Sequence, residues 1–393
     1  MNASAIPHPA VGVSERSISQ SAVPWLSLAG LAASVAIASG IYWDISWHET
    51  IGRDTFWTPA HLLTQFGAIV GGLASVFVIF RTTFAGDAAA RKSSVNVLGF
   101  RAPLGVFILA WGAVAMLTSA PFDNWWHNAY GLDVKIVSPP HMLLALGIFG
   151  INWGGIFLTV AEMNRAEGVA RKRLQYILLG TGGFVLIQSM ILKLEQSQRT
   201  FQHSGISYLV ISIGLLLLVE AMARVSGHRW ARTIVTGVYT AFGLLMLWIL
   251  PLFPASPKLG PVYQNITHMV PLPFPLLLVI PAFILDLVWP LMKDKPRWQQ
   301  AIFGGVTYLA ILVAVQWPFA TFLMSPAANN WFFATNNFPY FDLPSSPGVR
   351  HVFVNWETTA GAFWRNIGLA FLVSVVSMWV GIVFGNWLRR VRR

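Results

Sequence analysis

Two stretches of the chain place the same metal-binding residue types at nearly the same spacing. The first runs Asp44-Ile45-Ser46-Trp47-His48, then Gly52-Arg53-Asp54, then Thr58-Pro59-Ala60-His61. The second runs Asp123-Asn124-Trp125-Trp126-His127, then Gly131-Leu132-Asp133, then Ser138-Pro139-Pro140-His141. Each presents a carboxylate, an imidazole four residues on, and a second imidazole 13 or 14 residues later. Two imidazoles and one carboxylate suit copper, zinc or non-haem iron, and the ligand set alone does not choose among them. Glu49, Asp54 and Asp133 are placed to orient a ligating imidazole from behind. A single Asp-x3-His is commonplace at a membrane interface. Two copies, each with a returning His, are not.

The spacing also says which elements must position these groups. If the helix before the first hairpin stays helical through His48, Asp44 and His48 lie on one face. Thr58-Pro59 reads as an N-cap followed by proline in the first helical position, so His61 falls in the first turn of the next helix. Ser138-Pro139 repeats that start for His141. Each hairpin would therefore close a carboxylate and two imidazoles on one point.

The rest of the chain is a greasy scaffold. Its 393 residues are 55% hydrophobic and 10% charged, with mean hydropathy +0.60, where soluble domains carry about 25% charged residues. The expected fold is all-α: a polytopic transmembrane helix bundle of about ten spans. They fall roughly at 25–43, 60–80, 102–120, 140–163, 174–194, 206–225, 231–252, 271–292, 299–323 and 362–387. With no cysteine, thiolate metal sites and disulfides are excluded. Residues 1–22 read as a disordered cytoplasmic tail, 23–164 as a duplicated hairpin module of four spans, and 165–393 as a six-span module. The loop at 325–360, rich in aromatics, Asn and Pro, is expected to cap the outer face.

The net charge of +11 is a topology signal. Arg81, Arg91, Lys92 and Arg101 fill one loop; Arg165, Arg171, Lys172 and Arg173 fill another. Arg224, Arg229 and Arg232, then Lys293, Lys295 and Arg297, then the C-terminal arginines continue the alternation. The positive-inside rule puts these loops and both termini in the cytoplasm, with both motifs on the outer, periplasmic side of a bacterial or archaeal inner membrane. Partners are then the lipid bilayer, including its anionic lipids, and not nucleic acid.

At these residues the chain resembles the C subunit of the copper membrane monooxygenases, the particulate methane and ammonia monooxygenase family. The shared pattern is Asp-x-x-Trp-His, Arg-Asp-Thr and Thr-Pro-x-His, found here as Asp44, Trp47, His48, Arg53-Asp54-Thr55 and Thr58-Pro59-Ala60-His61. The resemblance implies copper at Asp44, His48 and His61. The family's neighbouring site uses Asn-x3-His and a second His 14 residues later. Here Asp123, His127 and His141 take those positions, and the extra carboxylate should hold a cation more tightly. The likeness covers about 120 residues, the first four spans. It implies A- and B-like partner subunits, or a homo-oligomer in their place. It also implies oxygen-dependent hydroxylation of a small apolar substrate by dioxygen. Two other functions are open: a non-catalytic protein that binds, senses or transports copper, and a structural subunit stapled by metal.

Other residues carry weaker readings. His203, His268 and His351 are candidate extra ligands, or ordinary hydrogen-bonded interfacial histidines. Lys193 and Glu195 read as an interface pair or part of a polar channel. Glu220 and Asp286, near helix ends, read as ordinary interfacial charges. Gly67-x3-Gly71 and Gly150-x3-Gly154 read as helix contacts. Trp43, Trp47, Trp57, Trp125 and Trp126 would wall an apolar pocket or sit in an interfacial belt.

Overall fold

A computed structural model describes residues 24–52, 57–86, 88–131 and 138–392. Asp54, Asp133, the Arg53-Asp54-Thr55 match and the N-terminal tail lie outside the described residues. Nine of the described helices are long and apolar enough to cross a membrane. They are α1 (Trp25–Thr50), α2 (Pro59–Phe84), α3 (Leu104–Tyr130), α4 (Pro139–Met163), α5 (Gly168–Ile191), α6 (Gly205–Ser226) and α7 (Ala231–Leu252). A shorter helix, α8 (Val279–Val288), precedes α9 (Arg297–Leu323) and α10 (Ala360–Leu388). The expected helical bundle is therefore found. Almost no sheet accompanies it, apart from a hairpin of β1 (Val95–Val97) and β2 (Phe100–Ala102) inside the first basic loop.

Close packing of small residues holds the first four helices. A Cβ added to Gly150 would sit 2.8 Å from Gly112 Cα, and one added to Gly154 would sit 2.5 Å from Leu109 N. A Cβ on Gly67 would lie 2.7 Å from Ile37. Both glycine pairs are thus helix contacts: without side chains the backbones approach closely enough for dispersion to hold them in lipid. A polar thread joins α1, α4 and α5. Ser34 Oγ donates to Asn152 Oδ1 at 2.7 Å, Asn152 Nδ2 donates to Gln188 Oε1, and Gln188 Nε2 donates to Ser34 O at 3.3 Å. The largest buried cluster runs from Ala38, Tyr42 and Ile156 in the first four helices to Leu216, Leu309 and Ile382 beyond them. The two halves therefore share a core.

The segment expected as a span at 271–292 is not one helix. Residues 271–277 are neither helix nor strand, and helix begins only at Val279. Pro271, Pro273 and Pro275 explain this, since each lacks an N–H and restrains the residue before it. The free backbone groups find side chains. Leu276 N donates to Tyr239 Oη at 3.1 Å, Leu277 N donates to Gln316 Oε1 at 2.8 Å, and Tyr308 Oη donates to Leu278 O at 3.0 Å. A second break interrupts α6 at Ile213-Gly214, where Gly214 takes φ 71°. Lys193 is buried and its Nζ donates to the carbonyls of Ile211 (3.3 Å) and Ile213 (2.5 Å) at that break. It is therefore no partner of exposed Glu195, and burial pulls its ammonium down to about 8.

Glu220 and Asp286 also differ from expectation. Both are fully buried. Arg232 bridges them at 2.7 and 2.9 Å, Arg224 reaches Glu220 at 2.6 Å, and Trp289 stacks 3.8 Å from the Arg232 guanidinium. Four charges of balanced sign thus share one buried network, the form in which charge is tolerated away from water.

Residues of the 325–360 loop bond to the end of α1, to residue 263 and to the turn at Thr200. Tyr340 N donates to Glu49 O at 3.0 Å, Tyr263 N donates to Tyr340 O at 2.8 Å, and Val354 N donates to Thr200 O at 2.9 Å.

Candidate metal centre

α1 remains helical to Thr50 and α3 to Tyr130, so both Asp-x3-His pairs lie on a single helical face as the spacing predicts. Thr58 caps α2 with its hydroxyl, which accepts from His61 N at 3.2 Å, and Pro59 occupies the first helical position. The returning His61 is thereby set at the mouth of the hairpin. In the first copy Asp44 Oδ1 lies 3.5 Å from His48 Nε2 and 3.0 Å from His61 Nε2. One ligand atom from each residue lies within 4.8 Å of the other two. Among the described residues this is the one group of three or more such donors so arranged.

The second copy is assembled from the same parts. Asp123 Oδ1 lies 3.3 Å from His127 Nε2 and 3.8 Å from His141 Nε2. It is looser than the first and does not meet the same mutual spacing. Here the outer ring nitrogens are engaged. His127 Nδ1 is 3.1 Å from the Gly131 carbonyl, which can only accept, so that nitrogen carries the proton. His127 Nε2 is the ring nitrogen that faces Asp123 Oδ1. His141 Nδ1 pairs with Ser138 Oγ at 2.8 Å. Ser138 occupies the N-cap position but makes no cap to the backbone. The expected cap has been redirected to the imidazole.

The electrostatics of both clusters favour a cation. Asp44 Oδ1 and Asp123 Oδ1 are sealed from solvent, and neither accepts a hydrogen bond although imidazole nitrogens face them. A buried carboxylate oxygen without a donor is costly, and a metal ion removes the cost by bonding all three groups. The residues therefore fit a divalent metal or copper. The ligand side chains are 17 to 32% exposed, so an ion can enter from the hairpin end.

The Glu49 carboxyl lies near Asp342 of the 325–360 loop, and the Glu49 main-chain carbonyl receives Tyr340 N. The five tryptophans divide. Trp43 and Trp47 pack against Ile51, Leu250 and Met269, Trp126 packs against Tyr130 with ring centres 4.5 Å apart, and Trp57 and Trp125 are exposed. Trp47 Nε1 is buried without a partner, directly before His48. His203 is stacked between Trp317 and Phe353, with Nε2 3.1 Å from Trp317 O, and His268 Nδ1 pairs with Thr267 Oγ1 at 2.9 Å. Neither joins the metal cluster.

Two contributors go beyond what the sequence predicts: the Gly131 carbonyl and the Ser138 hydroxyl as holders of imidazoles. The Ser-x-x-His spacing at a helix start was the available signal for the latter. Comparison with known proteins finds no matching family, no matching curated protein and no matching solved structure.

Proposed function

We propose that the chain is an integral membrane metalloprotein that binds copper at Asp44, His48 and His61, with a second site at Asp123, His127 and His141. The observation that carries this reading is the pair of buried carboxylate oxygens, each faced by two imidazole nitrogens and accepting no hydrogen bond. Zinc and non-haem iron suit the same donors. The sequence resemblance to the copper membrane monooxygenase C subunit favours copper.

The proposed activity is oxygen-dependent hydroxylation of a small apolar molecule, by this chain alone, as a homo-oligomer, or with A- and B-like subunits. Copper bound at such a site supplies one-electron redox chemistry toward dioxygen, with two electrons per turnover drawn from an external reductant. The chain's own residues perform the rest. The Gly131 carbonyl and Ser138 hydroxyl fix the imidazole orientations, as outer partners of metal ligands do. Trp43 and Trp47 pack on an apolar cluster beside the first site and limit water there. A three-ligand set leaves positions for exogenous molecules.

The proposed topology has ten passes, with both termini cytoplasmic and the sites toward the periplasm. Seven residues at about 3.1 Å each and the helical stretch Val279–Leu291 at about 1.5 Å per residue together exceed the ~30 Å hydrocarbon thickness. The broken segment thus suffices as the tenth pass and keeps the basic loops on one side.

A competing reading is copper capture or sensing without turnover, favoured by the partial exposure of both clusters. Metal analysis of purified wild type beside His48→Ala and His127→Ala tests the sites: each variant should lose metal, and unchanged content in both would overturn the assignment. Oxygen uptake by membranes supplied with a reductant and a small hydrocarbon or ammonia then tests turnover. Bound metal with no uptake would leave the capture reading standing.

A further inference from the structure

Against the 325–360 loop lies a positive charge with no counter-charge among the described residues. Arg199 opens a short 3-10 turn, Arg199–Phe201. Its Nη2 donates to the Thr335 carbonyl at 2.9 Å, and its guanidinium carbon lies 5.6 Å from the centre of the Phe338 ring. Among the described residues no carboxylate pairs with it. Its Nε is sealed from solvent and has no acceptor.

His351 borders the same Phe338, ring centres 6.0 Å apart and planes at 89°. Its Nδ1 is likewise sealed and unpartnered. The two chain segments are tied together by Val354 N donating to Thr200 O at 2.9 Å. His351 holds φ at 51°, a left-handed conformation that costs a non-glycine residue energy. Such strain is retained where the surroundings demand a particular side-chain direction.

We propose that Arg199 and His351 form a binding site, beneath the cap loop, for a small free monoanion of halide or formate size. The two sealed donors and the single positive charge match one acceptor carrying one negative charge. A water molecule would satisfy the donors but leave the charge uncompensated. A guanidinium cannot escape by losing its proton: burial lowers Arg199 only to about 10. Burial, and then the nearby Arg199 charge, hold His351 below its ordinary value. The imidazole is then neutral, free to keep its hydrogen on Nδ1, and the site carries one positive charge. The anion would fasten loop residues 335, 338 and 351 to the turn at 199, independently of any metal.

The test uses the full chain in detergent, with sodium bromide, chloride or formate exchanged against sodium gluconate at fixed ionic strength. The thermal midpoint of wild type should rise saturably, by about 3 °C at a hundredfold excess over Kd. Arg199→Met and His351→Phe should abolish that rise. The Arg199→Met variant should also cross wild type: at least as stable in gluconate, less stable in bromide. A loss of equal size in both salts would overturn the proposal, because Arg199 would then be only a strut to the Thr335 carbonyl. No anion dependence in wild type would also overturn it, leaving an ordered water there. A rise given only by phosphatidylglycerol, and by no free anion, would replace the monoanion with a lipid phosphate and refute the site as stated. Should Arg199→Met fail to fold, His351→Phe and bromide NMR line broadening on wild type decide alone.

Discussion

The two hairpins reach nearly the same end by different local means. In the first, the residue before proline caps the backbone: Thr58 Oγ1 accepts from His61 N. In the second, the residue in the same place lets the cap go and holds the His141 ring instead. The first cluster is tight, with all donors within 4.8 Å. The second is wider, with its farther imidazole 3.8 Å from the carboxylate oxygen, yet both imidazoles are held from behind. The two hairpins thus hold one compact cluster over a well-capped helix and one looser cluster whose imidazoles meet the Gly131 carbonyl and the Ser138 hydroxyl. A ligand motif specifies which donors meet. The neighbouring hydroxyls and carbonyls decide how firmly.

The largest effect that sharpens this contrast is removal of the shared carboxylate. Asp44→Ala should cost the first site on the order of 100-fold or more in metal affinity, above the 10–100-fold typical of outer partners. Metal titration with the second site disabled by His127→Ala reads it. Loss of less than tenfold would mean that Asp44 is not a ligand.

The paired substitutions Ser138→Ala and Thr58→Ala come next, because equal chemistry should give unequal results. Ser138→Ala should lower affinity at the second site by about 10–100-fold with little change in helix stability. Thr58→Ala should cost roughly 1 kcal/mol of stability and leave affinity at the first site nearly intact. The same outcome from both would erase the distinction drawn above.

Asp123→Asn keeps the shape and removes the charge. Two unit charges near a protein surface interact by a few kcal/mol at most, and we expect about a tenfold loss of affinity at the second site, or ~1.4 kcal/mol. Stronger binding in the variant would show that the carboxylate repels a ligand set already sufficient without it.

The smallest effect on metal is expected at the hairpin glycines. Gly52 and Gly131 both take positive φ, 94° and 85°. Alanine at either should cost on the order of 1 kcal/mol of stability. A Cβ on Gly52 would also meet Tyr340 Oη at 2.8 Å, whereas one on Gly131 meets nothing within 4 Å. Gly52→Ala should therefore loosen the cap loop, read as faster proteolysis of residues 325–360, and Gly131→Ala should not.

What the sequence made legible was local. Helical spans follow from apolar runs, the shared face of Asp44 and His48 from helical periodicity, and the position of His61 from a Thr-Pro start. What it hid depended on distant partners. The burial of Asp286 is tolerable only because Arg232, 54 residues earlier, lies 2.9 Å away. Lys193 is drawn from Glu195 by carbonyls freed at a break 18 and 20 residues downstream. Ser138 has the spacing of a cap but holds a ring, because the His141 main-chain N–H and its Nδ1 both lie three residues on and spacing does not separate them. The broken span was hidden because hydropathy scores residues 271–278 as grease, and only the prolines report the lost backbone bonds.

As the proposed tenth pass, the proline-rich stretch would constrain how the chain is made. When residues 271–278 leave the ribosome, Tyr239 has already been synthesised, but Tyr308 and Gln316 lie 30 and 39 residues ahead. At about 5–20 residues per second, the Leu277 amide waits several seconds for its acceptor. Lipid offers nothing to an open amide in the meantime. On the proposed ten-pass topology the segment would stay beside the translocation channel, or in water, until α9 emerges. Insertion of the proposed tenth pass would then be a joint event of two helices, and a nascent chain truncated before residue 316 should fail to integrate it.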